Sequence, residues 1–170
     1  WNQALAQAAA IKRTAPYRGA EAFAVLHRHR NNLPAVAAEY EAAKQRFPDS
    51  TALYFRLGRT YDAMGRYDAS AALFEELVRR KPEVMGSYYQ IGRLGAITGQ
   101  RLPRAEAVLQ RYLRHTPRGP EPPLSYAQWR LGMVYERQGN RPRARAAYRA
   151  ALALDPRNAE AKAALARLGA

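Results

Sequence analysis

Few side chains in this sequence have the chemistry of a catalytic or metal site. The chain has no cysteine, and its three histidines are His27, His29 and His115. His27 and His29 stand two residues apart in a segment with helical periodicity, where side chains point in different directions and do not share a metal ion. The adjacent Glu75 and Glu76 do not suggest a working pair of carboxylates. We therefore expect no catalytic residues, no metal site and no cofactor.

Aromatic residues and arginines recur together, and this combination can recognise a ligand. Phe55 and Arg59 are four residues apart, as are Tyr89 and Arg93, so each pair shares one face of a helix. The rings supply flat contact area at low entropy cost, and arginine binds carboxylates in bidentate fashion, which suits an extended peptide. The alternative is packing, because aromatic residues mostly fill cores and Asp62 could neutralise Arg59.

The element that positions the first pair is the segment 51–82, which has apolar residues at helical spacing on both sides of a glycine. Leu57 and Tyr61 lie in its first helix, Gly65 marks the turn, and Phe74 lies in its second helix. One such hairpin cannot bury both apolar faces alone. It requires neighbouring copies of itself.

Copies are present, and the glycines and prolines give their period. Gly58, Gly92 and Gly132 each follow an aliphatic residue, and another glycine follows seven residues later in each case. The prolines that end successive second helices, with a first interval of about 34 residues, are Pro48, Pro82, Pro117 and Pro156. The pattern aromatic-x-x-Leu-Gly-x-x-Tyr, followed by Ala, Phe and Pro, resembles the tetratricopeptide repeat. The resemblance covers roughly residues 17 to 158.

The resemblance implies an all-α fold, a right-handed α-solenoid of about four helix-turn-helix repeats with additional terminal helices. We expect an N-terminal helix at 1–16, repeats at 17–50, 51–84, 85–124 and 125–158, and a C-terminal capping helix at 159–170. The third repeat has Gly95 where the pattern has tyrosine, which predicts a looser core there. The proline-rich residues 118–124 are expected to form an extended surface loop.

In this repeat family the first helix of each hairpin lines the concave face, so the resemblance implies a groove for a partner. Comparison of positions around each repeat glycine selects these candidate groove residues: Phe55, Arg56, Arg59, Tyr89, Gln90, Arg93, Trp129 and Arg130. We expect a non-enzymatic scaffold for a partner protein or an extended peptide, acidic or aromatic-containing. Trp129 has an alternative place, because Gln128 occupies a position held by tyrosine in the preceding repeats and the indole could fill that core space.

The charge balance leaves other interpretations open. The formal net charge is +14 over 170 residues, which suits an acidic protein or a nucleic acid. A GC-rich genome would produce the same arginine-rich composition without any polyanion partner. The chain could also be an accessory or dimerising domain of a larger protein, since it starts at Trp1, and the sequence is compatible with a homo-oligomer.

Hydropathy predicts no membrane span, because no apolar run approaches about 18 to 20 residues. The absence of cysteine is compatible with either redox compartment. Localisation therefore stays open between the cytoplasm and, if Trp1 follows a removed signal peptide, the periplasm or the exterior.

Overall fold

The computed structural model describes residues 1–169, and every regular element in that range is an α-helix. In chain order the helices are α1 (Asn2–Thr14), α2 (Pro16–His29), α3 (Leu33–Arg46), α4 (Thr51–Ala63), α5 (Tyr67–Arg80), α6 (Met85–Thr98), α7 (Leu102–Tyr112), α8 (Leu124–Arg137), α9 (Arg141–Leu154) and α10 (Ala159–Arg167). The all-α fold class predicted from the sequence is confirmed.

The chain divides into two compact units, a first unit at Trp1–Leu73 and a second unit that begins at Phe74, within α5. In the first unit α1 packs on α2, α2 on α3 and α3 on α4. In the second unit α6 packs on α7 and α8, α7 packs on α8, and α9 packs on α8 and α10. This succession of contacts between consecutive hairpins is that of an α-solenoid of helical repeats.

Local sequence signals explain where the helices of the first unit begin and how closely they pack. Asn31 adopts a left-handed conformation with φ 52°, which ends α2. The side chain of Asn32 then accepts a hydrogen bond from the Ala35 amide at 3.2 Å and caps α3. Gly19 allows α2 to approach α1, since a Cβ at this position would lie 2.2 Å from the Cα of Lys12.

The core of the second unit is closely packed at Gly95, where the sequence predicts loose packing. Gly95 is buried, and a Cβ at this position would lie 2.5 Å from the Cβ of Ala105. Helix α7 therefore packs directly against the backbone of α6 where other repeats place a tyrosine ring. The expectation of a looser core is wrong here, because close approach of the two helices fills the space of the missing ring.

The proline-rich connection between α7 and α8 is non-helical over residues 113–123, and it folds back on the end of α7. The Tyr112 hydroxyl donates to the carbonyl oxygen of Pro122 at 2.6 Å. Nε2 of His115 lies 2.7 Å from Oε2 of Glu121. These two contacts fasten a long loop at two points, so it is more than an extended link.

Candidate partner-binding surfaces

In the first unit, three arginines from two helices line one cleft. Arg28 lies on α2, and Arg56 and Arg59 lie on α4. The cleft has a volume of about 450 Å³ and is completed by Leu33, Thr60 and Ala63. The structure thus brings two of the predicted groove residues together with Arg28, which was not among them.

The three guanidinium groups of this cleft differ in how they are held. Nη2 of Arg28 donates to the Tyr40 hydroxyl at 3.2 Å, and Arg56 forms an ion pair with Glu21. Burial alone would lower the pKa of Arg56, but a hydrogen bond with Tyr40 and the Glu21 carboxylate raise it above its ordinary value. The side chain of Arg59 is exposed and makes no hydrogen bond or ion pair within residues 1–169. It is the cation of this cleft that is open to a ligand.

Two further residues bear on the sequence expectations for the first unit. Asp62, considered as a neutralising partner for Arg59, has an interaction of its own in the structure. Phe55 is half-buried on α4 and is not part of the cleft lining. The first unit therefore presents the predicted arginines, without the predicted ring beside them in the cleft.

In the second unit, the packing of α6 on α8 forms the surface that carries the other candidates, and we call it the α6–α8 surface. Tyr89 is only 5% exposed, and its ring packs at 5.5 Å from that of Tyr112, so most of it belongs to the core. Arg93 is half-buried, and its Nε donates to Oε1 of Gln90 at 2.7 Å. Gln90 therefore fixes the orientation of one guanidinium on this surface.

Arg130 is an enclosed cation of the α6–α8 surface. Its guanidinium lies 3.9 Å from the centre of the Trp129 ring, and its Nη1 donates to Sδ of Met133 at 3.4 Å. Tyr89 also interacts electrostatically with this guanidinium. Its Nε is buried and has no hydrogen-bond partner. None of these contacts is an ion pair, so Arg130 holds a positive charge that no carboxylate in residues 1–169 directly contacts.

The electrostatics of Arg130 follow from this enclosure. Burial lowers its pKa below the ordinary value for arginine, and the nearby positive charge of Arg93 lowers it further, while Tyr89 and Glu160 act in the opposite direction. Arginine keeps its proton even so. The result is a partly desolvated cation beside a second cation, an arrangement that an incoming anion would stabilise.

The sequence left open whether Trp129 lies in the groove or in the core, and in the structure it contacts both the core and a groove candidate. It is partly buried and packs against the core of the second unit, with its ring 6.1 Å from that of Tyr126 in an edge-on arrangement. It also provides the face on which Arg130 stacks. The indole thus packs on the core and flanks the Arg130 guanidinium.

Two residues of these surfaces were not among the candidates predicted from the sequence. Arg28 lies four residues after Ala24, the first repeat's equivalent of the repeat glycines, so comparison one helical turn further along would have found it. Met133 follows Gly132 directly and occupies the position held by Arg59 and Arg93 in earlier repeats. The fourth repeat therefore has no arginine at this position, and its cation on this surface is Arg130, three residues earlier.

Within residues 1–169, no group of three histidine, aspartate or glutamate residues is placed to hold a metal ion. In the same range, no helix has both the length and the apolar character needed to cross a membrane.

Comparisons with known proteins agree with the repeat architecture. Two family models, both described as tetratricopeptide repeat, match residues 55–120 and residues 125–158, which together are more than half of the chain. A search of curated proteins found no significant match to the sequence.

Solved structures share the fold at low sequence identity. A tetratricopeptide repeat protein from Parabacteroides merdae has a TM-score of 0.78 at 16% identity, over 96% of this chain and 64% of that chain. YrrB, a TPR protein with an unusual peptide-binding site, has a TM-score of 0.77 at 15% identity, over 96% and 82%. A thermophilic TPR protein from Thermus thermophilus has a TM-score of 0.63 at 24% identity, over 89% and 80%. The chain belongs to the tetratricopeptide repeat family.

Proposed function

We propose that this chain is a non-enzymatic scaffold for protein–protein interaction, and that its α6–α8 surface binds an acidic segment of a partner protein. Membership of the tetratricopeptide repeat family supports protein binding in general, as a fold-level analogy. The acidic character of the partner is inferred from the residues of the surface itself.

The observation that carries this proposal is the guanidinium of Arg130, which is enclosed and has a buried Nε without a hydrogen-bond partner. Leaving a buried donor unsatisfied costs about 1 to 3 kcal/mol, and more when the group is charged. A carboxylate from a partner would neutralise the enclosed charge and form a charge-assisted hydrogen bond with the rest of the guanidinium. We expect Arg93, which is oriented by Gln90 and whose charge acts on that of Arg130, to contribute to the same interaction.

The neighbourhood of Arg130 also indicates what should stand next to the carboxylate. Trp129 and Met133 flank the guanidinium with a large ring and a polarisable thioether. Such side chains favour an aromatic or apolar residue in the ligand. We therefore infer a partner segment in which an aspartate or glutamate is adjacent to an aromatic residue.

The cleft of the first unit offers a separate contact for an acidic partner. Arg59 is its unpaired cation, while Arg28 and Arg56 are fixed by their own partners. An exposed cation contributes less than an enclosed one, because water competes for it. We expect Arg59 to add affinity and the α6–α8 surface to determine selectivity.

The test measures binding of labelled peptides by fluorescence anisotropy. Each peptide carries Asp or Glu beside Phe or Tyr, and its matched control carries Asn or Gln instead. For the wild type, the acidic peptide is expected to bind at least about tenfold more tightly than the amide peptide, a difference of about 1.4 kcal/mol. Arg130→Gln and Arg93→Gln should each remove most of that difference.

A control variant separates this effect from a change in net charge. Arg114→Gln removes one exposed arginine of the same unit that has no ion pair within residues 1–169, and it should leave both affinities unchanged. Equal binding of the acidic and amide peptides by the wild type would contradict the proposal. So would full retention of acidic-peptide affinity in both Arg130→Gln and Arg93→Gln.

A further inference from the structure

Helix α9 carries an unbalanced positive charge on a surface separate from the α6–α8 candidates. Its sequence RPRARAAYRAALAL contains four arginines and no acidic residue. Three of these arginines line one cleft of about 460 Å³, which we call the α9 cleft. Its lining is Arg141, Pro142, Arg145, Arg149 and Leu168.

The three arginines of the α9 cleft have no carboxylate partner within residues 1–169, whereas the fourth arginine of the helix has one. Nη2 of Arg143 forms an ion pair with Glu106 at 2.6 Å, outside the cleft. Nη2 of Arg145 donates to the carbonyl oxygen of Leu168 at 2.6 Å, a contact that orients the guanidinium without neutralising it. Arg141 and Arg149 are exposed and make no side-chain hydrogen bond or ion pair within residues 1–169.

The spacing of these arginines places them in a row along one side of α9. Residues four apart lie on one face of a helix, about 6 Å from each other along the axis, so Arg141, Arg145 and Arg149 span about 12 Å. The cleft offers little besides charge. Tyr148, the one aromatic residue of α9, is fully buried, and Leu168 is almost so.

This composition restricts the class of ligand. A bound peptide needs pockets for side chains or partners for its backbone, and a membrane surface is held best when apolar side chains insert into it. Single-stranded nucleic acids are bound largely by stacking of bases on aromatic rings. None of these features lines the α9 cleft, and the exposed Leu154 at the end of the same helix lies outside it. A duplex requires only phosphate contacts, because release of its condensed counterions supplies the binding free energy.

We propose that the α9 cleft binds the phosphate backbone of double-stranded nucleic acid, independently of base sequence. Arginine suits this role because its planar fork forms two parallel hydrogen bonds to phosphate oxygens. The site is distinct from the proposed peptide surface, so a negative result for one proposal does not contradict the other.

The test measures the affinity of the full chain for two labelled duplexes of unrelated sequence, at salt concentrations from about 50 to about 200 mM. Three phosphate contacts predict a slope of log affinity against log salt of about −2.7, which is a loss of about 40-fold over this range. Both duplexes should bind alike. R141Q/R149Q should make the slope shallower by about 1.8, and it leaves the bond between Arg145 and Leu168 in place.

A second variant with the same net charge provides the control. R79Q/R114Q removes two exposed arginines of the second unit that have no ion pair within residues 1–169, and the slope should change little. Circular dichroism verifies that both variants are folded.

Three results would overturn the assignment. One is absence of duplex binding at about 50 mM salt. The second is an equal change of slope in R79Q/R114Q and R141Q/R149Q, which would indicate general attraction by net charge. The third is tighter binding of single-stranded oligonucleotide, polyglutamate or phosphatidylserine vesicles than of duplex, with the same dependence on Arg141 and Arg149.

Discussion

The ring of Tyr148 on α9 packs so closely against Gly132 on α8 that a Cβ at position 132 would lie 2.3 Å from Cε1 of the tyrosine. The hydroxyl of the same tyrosine donates to Oε2 of Glu136 at 2.7 Å. Glu136 in turn binds Nη2 of Arg167, on α10, at 2.8 Å. One side chain therefore sets the distance between two helices and, through Glu136, connects them to the third.

Gly132→Ala is expected to destabilise the protein by about 1 to 3 kcal/mol, because the added methyl group overpacks a buried contact. This loss should occur although alanine has the higher helix propensity, by about 1 kcal/mol. Urea unfolding followed by circular dichroism measures the free energy of unfolding.

The Tyr148→Leu background provides the control for that substitution. Without the ring, Gly132→Ala should cost much less, so the two substitutions should be non-additive. Equal cost in both backgrounds would show that the contact with Tyr148 is not the reason for glycine at this position.

Stability should fall in acid partly through Glu136. Burial alone would raise the pKa of Glu136, but hydrogen bonds from Tyr148 and Arg167 lower it below the ordinary value of 4.5. The folded state then binds fewer protons than the unfolded state, so this contribution is present above about pH 4.5 and is lost as the pH falls through the lower folded pKa.

Glu136→Gln should be less stable than the wild type at neutral pH and should show a weaker loss of stability in acid. Urea unfolding from about pH 6 to about pH 3 covers the range in which this carboxylate titrates. An identical pH dependence in wild type and Glu136→Gln would contradict the assignment.

Arg130→Met should separate stability from binding. Methionine keeps much of the packing against Trp129 and removes an enclosed charge that has no carboxylate partner. We expect unfolding to require about 1 kcal/mol more free energy, or to be unchanged, while acidic-peptide affinity is lost. A variant destabilised by more than about 1 kcal/mol would show that the guanidinium serves the fold.

Tyr112→Phe should loosen the loop at residues 113–123. The substitution removes the hydrogen bond to Pro122 and should cost about 0.5 to 1.5 kcal/mol. Trypsin cleavage after Arg118 should become faster. Tyr126→Phe is the matched control, since its ring is partly exposed and its hydroxyl makes no hydrogen bond within residues 1–169. Equal cleavage rates in the two variants would contradict a fastening role for Tyr112.

Deletion of residues 159–170 should lower stability and promote association, because α10 packs on α9 and the segment buries Ala161, Ala164 and Leu168. The loss should be at least about 2 kcal/mol, a usual value for one buried leucine. Thermal melts and sedimentation measure the two effects. Lys162→Gln, at an exposed position of the same helix, should change neither. Unchanged melts and sedimentation after the deletion would refute the capping role.

The sequence by itself determined the all-α class and the hairpin repeats, because these depend on local signals. Apolar residues at helical spacing, and a glycine where two helices approach closely, can be recognised without any tertiary contact. The turn at Asn31 and Asn32 is equally local, since asparagine adopts the left-handed conformation and caps the next helix through its own side chain.

The candidate groove residues were predictable only as positions along helices. Sequence spacing placed Arg56 and Arg59 on one helix, but the cleft they line also requires Arg28, which packing of separate hairpins brings beside them. Their role in binding stays a prediction.

Only the tertiary structure decided which polar groups are enclosed and which rings belong to the core. Tyr89 and Phe55 occupy equivalent positions in the sequence, yet Tyr89 is buried against Tyr112 and Phe55 is half-exposed. Arg130 is enclosed because Trp129 covers its guanidinium, and Gly95 leaves no gap because α7 packs directly against it. Burial depends on neighbours distant in sequence, and the period of a repeat does not encode how closely those neighbours pack.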